Sequence, residues 1–173
     1  MHMILALLFV SQSSMAVSPT EGLSANIKKF HEVVMATNCD LDLDFYAGPE
    51  TFKVNDQTQL ILVPCINGAY QTSSVGYLVT NQDQIKSLVV LAFDELSKSV
   101  QPTFDMTNAS FYESTKTLTA FAKGRGLGDC GQSSVTSVKT DKWSSVQVIT
   151  SEIRAKIHCD GEIDTEWPVV FKQ

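Results

Sequence analysis

The stretch from Ala122 to Gly131, AKGRGLGDCG, gathers four glycines, two cations, one acid and one cysteine within ten residues. Three chemistries use such residues at close range: a backbone cradle for phosphate, a thiolate nucleophile, and a cationic pocket or guanidinium–carboxylate pair. The spacing Gly124-x-Gly126-x-Gly128 matches neither the dinucleotide fingerprint nor the P-loop, and no helix-like run follows it, which argues against a phosphate cradle. A thiolate–imidazole couple can be drawn between Cys130 and His158, which abuts Cys159. It competes with a disulfide through the same cysteines. For Lys123 and Arg125, pairing with Asp129 or capping of carbonyls competes with capture of a carboxylate or other anion. The glycines imply positive backbone dihedrals or a close approach, as in a bulged or sharply reversing connection.

Other candidate sites are weaker. Asp40, Asp42 and Asp44 in DLDLDF resemble the opening of a calcium loop, but that loop needs Gly sixth and Glu twelfth, where Phe45 and Thr51 stand. The alternation instead predicts an edge strand with Leu41, Leu43 and Phe45 inside. No G-x-S-x-G elbow is present. Asp94, Glu95, Asp105, Glu113 and the CDGEID cluster are carboxylates that only folding could pair for hydrolysis. No metal site and no cofactor is expected.

Composition bounds the setting for this chemistry. The 173 residues suit one domain, 43% of them hydrophobic and 18% charged. Net charge is −6, and no basic run exceeds Lys28-Lys29, so neither a nucleic acid nor an anionic membrane surface is an expected partner. Residues 1–16 read as a signal peptide, with an apolar run from Ile4 to Val10 and a small-x-small cleavage site at Ser14-Met15-Ala16. That run is too short for a stable membrane anchor. The mature domain is expected over 17–173, exported to a periplasm. Export makes Cys39, Cys65, Cys130 and Cys159 a disulfide set. Spacing leaves three connectivities open. The expected one joins neighbours, Cys39 with Cys65 and Cys130 with Cys159, each bond stabilising by about 3 to 4 kcal/mol.

The elements that must hold these residues read as α+β: a mostly antiparallel β sheet or sandwich with one N-terminal amphipathic helix, stapled by disulfides. Ser18-Pro19-Thr20-Glu21 resembles a helix start. Leu23, Ile27, Phe30 and Val34 form an apolar stripe over about Gly22 to Ala36, with His31 elsewhere on the circumference. Eight or nine β-rich runs follow, among them QLILVPC, AYQTSSVGYLVT, IKSLVVLAFDEL and LTAFAKG, with hairpin tips at Asn81 to Gln84 and Ser114 to Lys116. In WSSVQVITSEIRAKIHC, Val146, Val148, Thr150, Glu152 and Arg154 would share one face. Neither face is purely polar, so the strand is expected to bend or change sheets.

The segment LTAFAKGRGLGDCG, preceded by LILVPCINGAYQTS and LAFD and closed by HCDGEIDTEWPVVF, resembles the C-terminal half of the bacterial cell-envelope domain-of-unknown-function family 1176. The likeness runs from about Leu23 to Phe171, with Cys65, Gly68, Ala69 and Tyr70 as a second motif. Longer members carry six cysteines and an additional N-terminal portion, so the chain looks like a short form. Where the family shows a W-x-W-D-G group, this chain has QSSVTSVKTDKW with only Trp143. The resemblance implies a periplasmic protein with structural disulfides and implies no activity.

These readings converge on a non-enzymatic binding or inhibitor-like domain whose candidate binding residues are Lys123, Arg125, Asp129 and Tyr70, with a periplasmic protein or small anionic ligand as partner. The competing expectations are a cell-envelope hydrolase with two carboxylates in one cleft, and an interaction module with an exposed apolar patch.

Overall fold

The computed structural model describes residues 18–35, 38–40, 47–82, 84–141, 145–163 and 166–173. The expected signal peptide over 1–16, the acidic run from Leu41 to Phe45 and Trp143 lie outside the described residues. Within them are one helix, α1 (Ala25–Met35), and twelve strands: β1 (Glu50–Lys53), β2 (Thr58–Asn67), β3 (Thr72–Thr80), β4 (Ile85–Ser87), β5 (Val90–Asp94), β6 (Ser99–Thr103), β7 (Asp105–Thr107), β8 (Ser110–Tyr112), β9 (Thr117–Lys123), β10 (Gly131–Thr140), β11 (Val146–Lys156) and β12 (Val169–Lys172). One sheet runs β1-β2-β3-β4, with β7 also on β3, a second runs β12-β11-β10-β9-β8, and β5 pairs with β6. Every pairing is antiparallel. This is the α+β, mostly antiparallel class that the sequence implies.

The apolar run Leu60-Ile61-Leu62-Val63 organises the layers. Successive side chains of a strand point to opposite faces, so an unbroken apolar run marks a strand covered on both. Leu60 and Leu62 pack with Leu78, Met106, Phe111, Leu118 and Val138 between the two sheets. Ile61, Val63 and Cys65 pack with Ile27, Met35, Val75 and Tyr77 under the helix. The layers are therefore helix, first sheet, second sheet. Leu88 is buried in the inter-sheet core and separates β4 from β5, so IKSLVVLAFDEL is two strands rather than one. The β5 backbone is then fixed to the second sheet by side chains: Leu91 N donates to Thr150 Oγ1 at 3.1 Å, and Phe93 N to Gln132 Oε1 at 2.9 Å.

Two details depart from the periodicity. The helix begins after Ser24, whose carbonyl accepts from Lys28 N at 3.0 Å, because Gly22 at φ +79° ends the turns built on Ser18 and Thr20. Its buried stripe is Ile27, His31 and Met35, while Val34 is exposed. Spacings of three and four residues are both helical, so Met35 could replace Val34 once Cys65 and Val75 lay opposite it. His31 goes inside because Tyr77 meets it there: Nδ1 and the Tyr77 hydroxyl share a hydrogen bond of 2.6 Å. Strand β11 carries the other departure. Val135 faces Glu152 but Thr136 faces Thr150, leaving Ser151 as a bulge. Val146, Val148 and Thr150 point toward the core before it, and Ile153 and Ala155 are buried after it. Glu152 and Arg154 are thus turned to the outer face.

Burial holds the His31 pKa below its usual value, against a small opposing pull from Glu32. An unfolded histidine takes a proton near pH 6.5, and the folded one takes it only at lower pH. The unfolded state therefore binds more protons in that window, and stability should fall as pH drops below about 6.5. Urea unfolding at pH 7.5 and 5.5 is expected to show this loss, and His31→Gln to reduce it. Equal losses in both proteins would remove His31 as the cause.

Candidate functional site

Strand β9 leaves the second sheet at Lys123, and β10 enters it at Gly131, directly opposite. Gly124 N donates to Cys130 O at 2.9 Å and closes the intervening loop. Within it Gly128 N donates to Arg125 O at 3.0 Å, a four-residue turn ending on Gly128 at φ +75°. Gly131 sits at φ +138°, and a Cβ there would overlap the Ala122 carbonyl oxygen, so only glycine fits.

This geometry points Asp129 inward, where its side chain has 0% exposure. A buried carboxylate must be met by donors. Arg125 supplies a bidentate pair, Nε at 2.8 Å and Nη2, and Gly161 N donates at 2.7 Å. The Arg125 hydrogen bonds foremost, then the Gly161 amide, hold this carboxyl well below the usual carboxylate range despite burial. The loop is also tied covalently, for Cys130 is bonded to Cys159, and Cys39 to Cys65, the sequence-neighbour pairing. A third tie comes from the loop between β2 and β3. Gln71 Oε1 accepts from Lys123 N at 2.9 Å while its Nε2 donates to Lys123 O at 3.0 Å, and the Tyr70 ring lies against Gly126. Three loops are thereby sewn together at one end of the molecule.

Beside this junction, on the outer face of the second sheet, lies an open depression of about 550 Å³. Its floor comes from neighbouring strands, since Phe121 pairs with Ser133 and Ser133 with Arg154. Trp167 stacks on Phe121 with centroids 5.1 Å apart and rings tilted 18°. Arg154 donates to Glu152 Oε1 at 2.6 Å, to Glu166 Oε2 at 3.4 Å and to Trp167 O at 3.2 Å. Lys123 lines the loop side, and its Nζ meets no hydrogen-bond or ion-pair partner among the described residues.

Of the expected binding residues, Arg125 and Asp129 are engaged with each other and Tyr70 packs on the loop, while Lys123 reaches the depression. Phe121, Arg154, Glu166 and Trp167 were not singled out by spacing. The Glu152–Arg154 alternation in β11 was the available signal, masked by the bulge that decides which face they take. The described cysteines contain no free thiol, so the Cys130–His158 couple has no nucleophile. Asp129, Cys130 and Cys159 lie within 4.8 Å of one another, but bonded sulfurs are not thiolate ligands. The carboxylates considered for hydrolysis stand on separate elements: Asp94 accepts from Leu96 N and Ser97 N, Glu113 from Lys53 N, and Asp160 pairs with Lys156.

Fold and site together define a disulfide-stapled, helix-backed protein of two five-stranded antiparallel sheets and a β5–β6 pair, with a loop junction beside a polar and aromatic depression. A family described as "Protein of unknown function (DUF1176)" matches residues 11–173, and the chain belongs to it. Over 81 residues it is 32% identical to the "Uncharacterized protein YpfG" of Escherichia coli (strain K12), covering 45% of this chain and 23% of that protein. The chain thus spans less than a quarter of the length of the curated relative it matches. No solved structure matches the chain. No helix among the described residues is long and apolar enough to cross a membrane.

Gly131→Ala should destabilise the protein by about 1 to 3 kcal/mol from the backbone region alone, with the carbonyl overlap adding to it. Arg125→Ala, which leaves the Asp129 carboxylate buried with the Gly161 amide but no counter-charge, should lower the melting temperature, and so should Asp129→Ala, which removes the acceptor that Arg125 and Gly161 share. Melting temperatures of the three variants unchanged from the parent would show that the junction contributes nothing to the fold.

Proposed function

We propose that this protein is an exported, non-enzymatic binding domain of the bacterial envelope, which captures a carboxylate-bearing ligand or partner at the depression beside Lys123. The observation that carries this reading is the Lys123 ammonium, which has no hydrogen-bond or ion-pair partner among the described residues. Around it the other cations are engaged: Arg125 with Asp129, Arg154 with Glu152 and Glu166, and Lys156 with Asp160. A cation held at an open depression by a backbone clamped through Gln71 is a preorganised acceptor for an anion. The two disulfides support export, because such bonds persist in oxidising compartments.

A binding role is favoured over hydrolysis because no pair of uncommitted carboxylates and no free thiol stands at the depression among the described residues. Leu127 and Ile163, 55% and 68% exposed, also line it and would be covered by an occupant.

Acetate added at low ionic strength is expected to shift backbone amide resonances of the loop around Lys123, with millimolar affinity that weakens as salt rises. Lys123→Gln should abolish the response while leaving the melting temperature unchanged. Identical responses in wild type and Lys123→Gln would place anion binding elsewhere.

A further inference from the structure

We propose that the ligand of this depression is a pyranose ring bearing one carboxylate, a uronate-type sugar unit. This rests on the binding reading above and specifies its chemistry. The depression joins three features that a single ligand class satisfies together. The first is a flat aromatic plate. Stacking on Trp167 takes one face of Phe121 and fixes its orientation, and Phe121 as a residue remains 37% exposed. The C–H-bearing face of a sugar ring packs on such a plate through apolar contact and the ring quadrupole.

The second feature is a rim of both signs. Glu166 is an exposed acceptor, Arg154 a donor held between Glu152 and Glu166, and Ser133 a hydroxyl on the floor between Phe121 and Arg154. A fatty or aromatic carboxylate would lay apolar surface against the Glu166 carboxylate and offer no hydroxyls to the rim's remaining donors and acceptors. Sugar hydroxyls both donate and accept, so they can serve Glu166 and Arg154 at once.

Charge supplies the third. Among the described lining residues, Lys123 and Arg154 are cations and Glu166 is an anion, leaving one positive charge in excess. Glu152 is shared between Arg154 and Lys172, the latter 3.7 Å away. One excess charge matches one carboxylate, seated at Lys123. A phosphate dianion would face Glu166 with a single unmatched cation. The volume of about 550 Å³ fits one or two sugar rings.

The test is amide-resonance titration of the full chain with glucuronate, trigalacturonate, glucose, acetate and inorganic phosphate. Glucuronate should bind about tenfold more tightly than glucose or acetate, roughly the gain of one added charge or stacking contact. A still tighter response to trigalacturonate would identify the unit within a polymer, and an equal response a single free sugar. Lys123→Gln should erase the preference for glucuronate over glucose. Phe121→Leu should weaken both sugars but not acetate, and Phe121→Tyr should restore them. Circular dichroism and melting temperature verify that each variant is folded. If acetate and phosphate bind as well as glucuronate and are indifferent to Phe121, the sugar assignment is overturned while anion binding stands. If acetate, phosphate and both acidic sugars leave the resonances unmoved, the sugar assignment and the binding reading are overturned together.

Discussion

A carboxylate taken wholly out of water has to be met by donors, and in this protein Asp129 imposes that requirement on two separate stretches of chain. Arg125 must fold back over its own turn to offer two nitrogens, and the segment after β11 must bring the Gly161 amide to the same oxygens. The Cys130–Cys159 bond lies between these partners and fixes the same two segments covalently. Asp129 thus sets the shape of the loop from its neighbours inward. The glycines give the backbone freedom to comply, with Gly131 and Gly161 at positive φ where the chain turns in and out of the junction.

The consequence for function is a division of labour between the two cations of the loop. Arg125 has its charge opposed by Asp129 at contact distance, and its guanidinium is part of the frame. Lys123, two residues earlier, is held by its backbone rather than its side chain, because Gln71 occupies both its N–H and its carbonyl. That arrangement fixes where the lysine starts and leaves its ammonium available. A side chain whose backbone is clamped loses less freedom on binding than one on a mobile loop.

The bulge at Ser151 matters as much to the depression as the loop does. Without it Glu152 and Arg154 would lie on the inward side with Val146, Val148 and Thr150, under the sheet rather than beside Phe121. One extra residue changes the phase of the strand, buries Ile153 and Ala155, and delivers Arg154 to the outer row with Ser133 and Phe121. The segment before β12 then closes over this row, placing Trp167 on Phe121 and Glu166 against Arg154.

Much of this frame was legible in the residues themselves. An unbroken Leu60-Ile61-Leu62-Val63 run can satisfy two faces only inside a layered fold, four cysteines in neighbouring pairs close moderate loops, and Gly124 to Gly131 demands a sharp reversal. These are local facts of side-chain type and backbone freedom. The inward turn of His31 was not legible, because it depends on a hydroxyl 46 residues away on Tyr77. Nor was the depression, which Phe121, Ser133, Arg154, Glu166 and Trp167 form only once three strands pair and a bulge sets their phase. The sequence alone determined the β-rich class, the four cysteines available for staples and the turn, while folding chose which cysteines pair. Tertiary structure decided that Arg125 braces while Lys123 faces the depression, because the partners that separate the two cations are far apart along the chain and meet only on folding.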